Sequence, residues 1–229
     1  ATTTGASNVD IGYDALGKNV SNAANVAVGY ASMEDANGSA YCTAMGYAAG
    51  KDLSTGDNNL CLGYNAGASA SPSGTLTTES NEICLGNDAI SQAHIQVDWT
   101  VASDQRDKTD FTALDLGLDF VKALSPVTYK WDKRSKYAEE GDDLDAIISD
   151  GTHKEDWLDV GFKAQAVEAL EQAAGYTVSD KTNLISSHTR DGKQMGLQYS
   201  KFVPILVKAI QEQQTLIEAL TARITILEG

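Results

Sequence analysis

A serine hydroxyl and a lysine amine lie five positions apart in the segment SDQRDKTDF, at Ser103 and Lys108. An uncharged lysine can take the proton of a serine hydroxyl, and the serine oxygen can then attack a carbonyl carbon. A free lysine has a pKa near ~10.4, so the amine must be desolvated by apolar surroundings before it can act as a base. The pair therefore indicates chemistry that begins only after folding. On spacing alone, a polar loop between two domains explains the same residues.

Charged residues surround this pair. Arg106 and Asp104 are candidate orienting groups, and a surface ion pair of Arg106 with Asp104 or Asp110 is an equally good interpretation. Carboxylates at Asp104, Asp107 and Asp110 would favour the charged form of the amine if they faced it. A working pair therefore requires these carboxylates to point elsewhere.

Composition limits the classes of function. The chain has 229 residues and a net charge of -15, which argues against nucleic acid and against anionic membranes as partners. No stretch approaches the roughly 20 apolar residues of a membrane span, and the first residues have no signal pattern. The three cysteines lack metal-ligand spacing and are interpreted as small buried hydrophobes. No metal site and no cofactor are expected.

A glycine repeat organises the first hundred residues. The intervals are seventeen residues three times and then twenty-three, at Gly12, Gly29, Gly46, Gly63 and Gly86. An apolar residue precedes each glycine, usually with another two positions earlier, which is typical of a short strand. One strand and its turns per unit predict a β-solenoid over residues 1–92. A tyrosine follows each of the first four glycines. These tyrosines could stack on one another as structural packing or form a sugar-binding platform.

Five thin coils bury little by themselves, which favours wrapping around identical partners. The units resemble the head repeats of trimeric surface adhesins and the shaft repeats of phage fibres. That resemblance implies three chains over residues 8–89. Residues 93–102 form a connector, in which alternating apolar and polar positions from Ile95 to Val101 predict a strand.

The part after Ser103 is mixed in pattern. An apolar-rich helix is predicted over residues 111–124, then the strand VTYKW, a helix in VGFKAQAVEAL and a hairpin around Asp191 and Gly192. A run of acids between residues 139 and 145 is interpreted as a solvated loop, with calcium binding as the weaker alternative. The final segment, residues 203–229, has a heptad stripe that predicts a coiled coil without fixing the number of strands. Its core positions are Leu206, Ile210, Gln213, Ile217, Leu220, Ile224 and Leu227.

Four blocks of this second part, SDQRDK, LSPVTYKW, VGFKAQAVEAL and YSKFVPILVKAIQEQQ, occur in this order. Together they resemble the C-terminal intramolecular chaperone of phage tail fibres, tailspikes and endosialidases. The resemblance covers residues 103–229 and implies that Ser103 and Lys108 form a catalytic dyad. It also implies a domain that assembles three chains, folds the β-structured shaft and then releases itself by cutting between Ala102 and Ser103.

The expected fold is therefore a mainly β N-terminal part, a trimeric β-roll or solenoid, followed by an α+β chaperone domain ending in a coiled-coil helix. The expected partners are two further copies of the chain and its own upstream shaft. The mature part would reside in a virion tail fibre, after assembly in the host cytoplasm. Two alternatives stay open: a trimerisation tip that does not cut, and a module that binds a host receptor or carbohydrate.

Overall fold

The structure is a computed structural model that describes residues 5–69, 71–139, 142–189 and 191–229. Residues 1–4 and 70 of the expected repeat domain lie outside the described residues. Contacts divide the chain into two compact units: residues 1–94, 132–154 and 189–194 form one, and residues 95–131, 155–188 and 195–229 form the other. The unit with the repeats thus includes two segments from later in the chain. The boundaries at residues 92 and 103 remain sequence-based predictions.

The repeats of the first unit fold into a five-stranded parallel sheet, as the glycine spacing predicts. The strands are β1 (Val9–Ile11), β2 (Val26–Val28), β3 (Thr43–Met45), β4 (Leu60–Leu62) and β5 (Ile83–Leu85). Each strand pairs in register with the next coil, so that Val9 lies beside Val26 and Leu60 beside Ile83. The repeat length therefore equals one turn of the solenoid, and the inserted residues before β5 are accommodated outside the sheet.

The two faces of this sheet differ in burial. The middle residues of β2 to β5 face inward and are buried, and the core adds one larger side chain from each of four coils: Leu16, Met33, Leu53 and Leu76. All three cysteines are free and buried, as expected. The flanking strand residues Val9, Ile11, Met45, Ile83 and Leu85 face outward and are between 44% and 70% exposed. A single chain thus leaves a ladder of apolar side chains uncovered.

The repeated glycines permit coils to approach closely. Gly46 has a φ of +135°, and a Cβ at this position would lie 2.6 Å from the carbonyl oxygen of Gly63. Only glycine fits this contact without strain. The next residue in each coil forms the tyrosine ladder, Tyr13, Tyr30, Tyr47 and Tyr64, with successive ring centroids 5.4, 5.0 and 5.5 Å apart.

A column of side chains just before the strands connects neighbouring coils through hydrogen bonds. Asn25 Oδ1 accepts from the backbone N–H of Cys42 at 2.9 Å, and its amide donates to Ser39 O at 2.9 Å. Asn8 and Asn59 make the same pair of contacts. In the third coil the position is Cys42, whose thiol accepts from Asn59 N at 3.4 Å and donates to Gly56 O at 3.3 Å. Burial raises the pKa of this thiol, which keeps it protonated.

Cys42→Asn is expected to stabilise the solenoid by about 1 kcal/mol, because an amide makes both contacts with stronger donor and acceptor atoms than a thiol. Urea unfolding at a fixed protein concentration measures the change. The matched control is Cys61→Asn, which places an amide at the apolar centre of β4 and should destabilise the chain by about 1 to 3 kcal/mol. A Cys42→Asn protein that unfolds at lower urea than wild type would contradict the role of this column.

The second unit contains three helices, α1 (Leu118–Ala123), α2 (Ala164–Ala173) and α3 (Phe202–Glu228), among the residues described. Two antiparallel pairs join β6 (Val127–Tyr129) to β7 (Asp159–Gly161) and β8 (Ser186–His188) to β9 (Met195–Leu197). The core contains Leu116, Phe120, Val167, Ile185, Phe202 and Ile205. The mixed α+β character expected of this part is confirmed. Strand β8 ends at His188 and β9 begins at Met195, which is a wider separation than the two-residue turn predicted.

Two sequence-based predictions in this unit are wrong. The connector strand over residues 95–101 is not formed within the single chain, which bends at residues 96–97. Alternating apolar and polar residues fit the two faces of a strand, but a strand forms only when a neighbouring segment pairs with its backbone hydrogen-bonding groups. The helix predicted over residues 111–124 is restricted to α1. Leu116 enters the core from non-helical chain, and Gly117 precedes α1, whose first N–H donates to the carboxylate of Glu212 at 2.7 Å.

The acidic loop belongs to the first unit. Arg134 donates to Leu144 O at 2.8 Å and to Lys193 O at 2.6 Å, and Lys193 forms an ion pair with Asp143 at 3.0 Å. Glu140 lies outside the described residues. Among the residues described, no group of three or more His, Cys, Asp or Glu side chains is arranged to hold a metal ion. The loop is therefore organised by basic side chains and backbone carbonyls.

Candidate active site

A single turn of 3-10 helix, Gln105–Asp107, lies between the two residues of the dyad. Asp104 caps the turn, because its Oδ1 accepts the backbone N–H of Arg106 at 2.9 Å. The turn closes through the backbone N–H of Lys108, which donates to Gln105 O at 3.2 Å, and Lys108 then continues in extended conformation. A reversal of this length returns the side chain of Lys108 to the start of the segment.

The structure brings Ser103 and Lys108 together. Lys108 Nζ lies 2.5 Å from Ser103 Oγ and donates this hydrogen bond. In the uncharged amine the same geometry would let the nitrogen accept the serine proton, since a general base must lie within hydrogen-bond reach of the proton it removes. The sequence spacing alone did not distinguish this contact from an unstructured polar loop.

Both side chains of the dyad are exposed in the single chain. The described residues therefore provide the reach needed for proton transfer but not the desolvation that a neutral lysine needs.

Two of the charged neighbours, Asp104 and Arg106, pair with each other. Arg106 Nη2 and Nε lie 2.7 and 3.1 Å from the carboxylate of Asp104, so the ion-pair interpretation of these two residues is the one observed. The Arg106 side chain, and then its backbone N–H, lower the pKa of Asp104. Across the described part of the chain, Lys108 forms no ion pair with Asp104, Asp107 or Asp110.

Helix α3 presents the predicted heptad positions to solvent. Its first turns pack Phe202, Ile205 and Ala209 into the core of the second unit. The predicted coiled-coil positions lie on the remaining surface and are all exposed, among them Leu206 at 43%, Ile210 at 64% and Leu227 at 83%. The helix is confirmed, and its apolar stripe has no cover within the chain.

Glu171 is a structural residue that sequence reasoning missed. It lies on α2, four positions after buried Val167, and is itself fully buried. Its carboxylate accepts the backbone N–H groups of Leu184, Ile185 and Ser186 at 2.8, 2.6 and 2.9 Å, and also the hydroxyl of Ser186. The spacing from Val167 was the available signal, because it places a carboxylate on the apolar face of the helix.

Comparison with known proteins gives one match. Residues 103–176 match the family model described as chaperone of endosialidase (peptidase S74), and this match begins at Ser103. No curated protein and no solved structure matches the chain. In the described residues, none of the helices is long and apolar enough to cross a membrane. The resemblance drawn from the four sequence blocks is confirmed for residues 103–176, and a chaperone role of the tail-fibre type is supported.

Proposed function

We propose that this chain is the C-terminal part of a phage tail fibre or tailspike whose residues 103–229 bring three copies together, promote folding of the repeats and then cut themselves away. The observation that carries the proposal is the 2.5 Å contact between Lys108 Nζ and Ser103 Oγ, at the first residues of the segment that matches the endosialidase chaperone family.

The cut would proceed in two steps at the Ala102–Ser103 bond. Ser103 Oγ adds to the carbonyl carbon of Ala102 while neutral Lys108 takes the hydroxyl proton. The C–N bond then breaks, Lys108 returns the proton to the leaving amine, and an ester joins the Ala102 acyl group to Ser103 Oγ. Water hydrolyses this ester, leaving a carboxylate on Ala102 and restoring the serine hydroxyl. A general base of this kind contributes about 10²- to 10⁴-fold to the rate.

Assembly would supply the missing desolvation. Each unit, taken by itself, exposes apolar side chains: outward-facing residues of β1, β3 and β5 in the first unit and the heptad stripe of α3 in the second. Rows of this kind are typical of surfaces that are buried in an oligomer. In the proposal, neighbouring copies cover Lys108 and favour its neutral form, so that the dyad is inactive before assembly.

Scission would also change the stability of the product. Before the cut, the coiled coil holds three copies of the repeats at high effective concentration. After the cut, that link is lost, and the assembled shaft persists because its unfolding is slow. A domain used once and then discarded explains why the dyad lies at the first residues of the segment rather than in a cleft for external substrates.

Intact mass measurement of the purified protein tests the proposal. We expect two fragments in place of the 24.3 kDa chain, with the second beginning at Ser103. Light scattering before denaturation should give the mass of three copies. A trimer that contains only full-length chains would reject self-cleavage and leave the trimerisation tip as the function.

A second candidate function rests on the tyrosine ladder. Tyr13, Tyr30, Tyr47 and Tyr64 are stacked on one another and between 48% and 69% exposed, so a ligand would meet a row of ring edges and hydroxyl groups. In this alternative the mature fibre in the virion binds a host receptor or glycan through the ladder. Glycan-array binding that Tyr47→Ala weakens would support it.

A further inference from the structure

We infer that Cys61 and Cys84 are a paired-thiol site, which a small-molecule disulfide oxidises to a disulfide that links the last coil of the solenoid to the coil before it. The site lies wholly within the repeats. It goes beyond the proposed function, because neither the dyad nor another copy of the chain takes part in it.

The two cysteines are direct neighbours in the parallel sheet. Cys61 is the middle residue of β4, Cys84 is the middle residue of β5, and the two are partners in the strand register. Neighbouring strands are about 4.8 Å apart, which lies within the range of Cα separations that a disulfide can span. Both side chains point into the same core and are 1% and 3% exposed. The register therefore brings two buried thiols within reach of each other.

Packing alone does not require cysteine at these positions. The middle residues of β2 and β3 are Ala27 and Ala44, which are buried in the same core. Two adjacent coils thus carry a thiol where the preceding coils carry alanine. Gly67 leaves room for the sulfur, because a Cβ at this glycine would lie only 2.9 Å from Cys61 Sγ.

The two thiols hydrogen-bond to each other. This bond lowers the pKa of Cys84, where a thiolate accepts from the Cys61 thiol, and raises the pKa of Cys61. Burial opposes the ionisation of Cys84, and a hydrogen bond with Ser73 favours it. Because the thiolate is the nucleophile in thiol–disulfide exchange, Cys84 is the thiol that reacts first.

Oxidation takes two exchange steps. Cys84 Sγ, as the thiolate, attacks one sulfur of the small disulfide, which forms a mixed disulfide and releases one small thiolate. Cys61 then attacks Cys84 Sγ, and its proton passes to the second small thiolate as that group leaves. The two cysteines together lose two electrons and two protons, and the small disulfide is reduced to two thiols.

Opening of the last coil controls access to the pair. Strand β5 lies at the edge of the sheet, and no further strand pairs with it among the described residues. Elements at an edge open at a lower free energy than the whole fold, so an oxidant reaches Cys84 without global unfolding. The disulfide then restrains this opening. Under the proposed function, the repeats fold in a reducing cytoplasm and act outside the cell, so oxidation would follow assembly.

Thiol labelling of the whole protein tests the site. The purified protein is incubated with oxidised glutathione and then unfolded in an alkylating reagent, and intact mass counts the labelled thiols. Without oxidant, wild type should label at all three cysteines and Cys42→Asn at two. After oxidation we expect one label in wild type, at Cys42, and none in Cys42→Asn. A protease that cuts after glutamate should release the linked peptides of Cys42→Asn, because Glu79 and Glu82 lie between the paired cysteines.

Urea unfolding measures the effect on the last coil. Oxidised Cys42→Asn should unfold at about 1 M higher urea than the same protein after reduction. The matched control combines Cys42→Asn with Cys84→Ala, which leaves no pair and should unfold at the same urea concentration in both states. Two thiols that stay labelled in oxidised Cys42→Asn, or that each end as a glutathione adduct, would overturn the inference. All three cysteines precede the proposed scissile bond, so these results do not depend on whether the chain cuts itself.

Discussion

Ser103→Ala is expected to leave the purified trimer entirely full-length, with scission slowed by at least about 10³-fold. The substitution removes the proposed attacking oxygen. Ser103 is exposed, and among the described residues its side chain hydrogen-bonds only to Lys108, so the fold should be unaffected. The measurement is the fraction of cut chain over time on denaturing gels. Ser91→Ala is the matched control, because it removes an exposed hydroxyl from the chain before the scissile bond.

Lysine variants separate a base from a positive charge. Lys108→Ala removes the proposed base and should slow scission by about 10²- to 10⁴-fold. Lys108→Arg keeps a positive charge at this position but cannot be neutral near physiological pH, so it should be as slow as the alanine variant. Lys122→Ala, which removes an exposed lysine paired with Asp119, should cut like wild type. Rapid scission by Lys108→Arg would show that Lys108 acts only through its charge.

The repeat fold could be predicted from the sequence because its glycines recur at a regular interval. Seventeen residues between Gly12, Gly29, Gly46 and Gly63 equal one coil of the solenoid, so spacing alone fixes which residues become neighbours. The column before the strands was equally visible, since Asn8, Asn25 and Asn59 recur at one position of the repeat. Its hydrogen bonds could not be read from the sequence, because they depend on the turns that bring carbonyl oxygens beneath each amide.

The failures in the second unit have a common cause. The segment from Ile95 to Val101 and the region before α1 were assigned from local apolar patterns. The first has no strand partner among the described residues, and the conformation of the second depends on partners distant in sequence. Leu116 joins a core that includes Phe202 and Ile205 of α3, and Glu212 occupies the N-terminus of α1. These contacts link residues about ninety positions apart, which periodicity cannot anticipate.

The Ser103–Lys108 pair was predictable from the sequence only in part. The residue types and the spacing of Ser103 and Lys108 identify the candidate, and the capped turn at Asp104 explains why the two side chains meet. The state of the lysine, by contrast, is determined by what covers it. Lys108 is exposed in the single chain, so under the proposed function its cover would come from other copies, and the sequence of one chain does not describe that contact directly.

Glu171→Ala is expected to destabilise the second unit by about 3 to 5 kcal/mol, the largest stability effect of any single change considered for this unit. The substitution leaves three buried backbone N–H groups and the Ser186 hydroxyl without their acceptor. Denaturant unfolding of the Ser103→Ala protein, with and without the change and at one protein concentration, measures the loss. The matched control is Gln172→Ala on the exposed side of the same helix, which should stay within about 0.5 kcal/mol.

Glu171→Gln tests whether the carboxylate acts as an acceptor or as a filler of space. The amide has nearly the same shape, but it replaces one accepting oxygen by a donor that would face backbone N–H groups. We therefore expect a loss between those of the alanine variant and the control, and faster hydrogen exchange at Leu184, Ile185 and Ser186. An equally stable glutamine variant would show that only packing matters. Because Ile185 packs with Phe202 and Ile205 of α3, loosening this strand should also weaken the packing of the first turns of that helix.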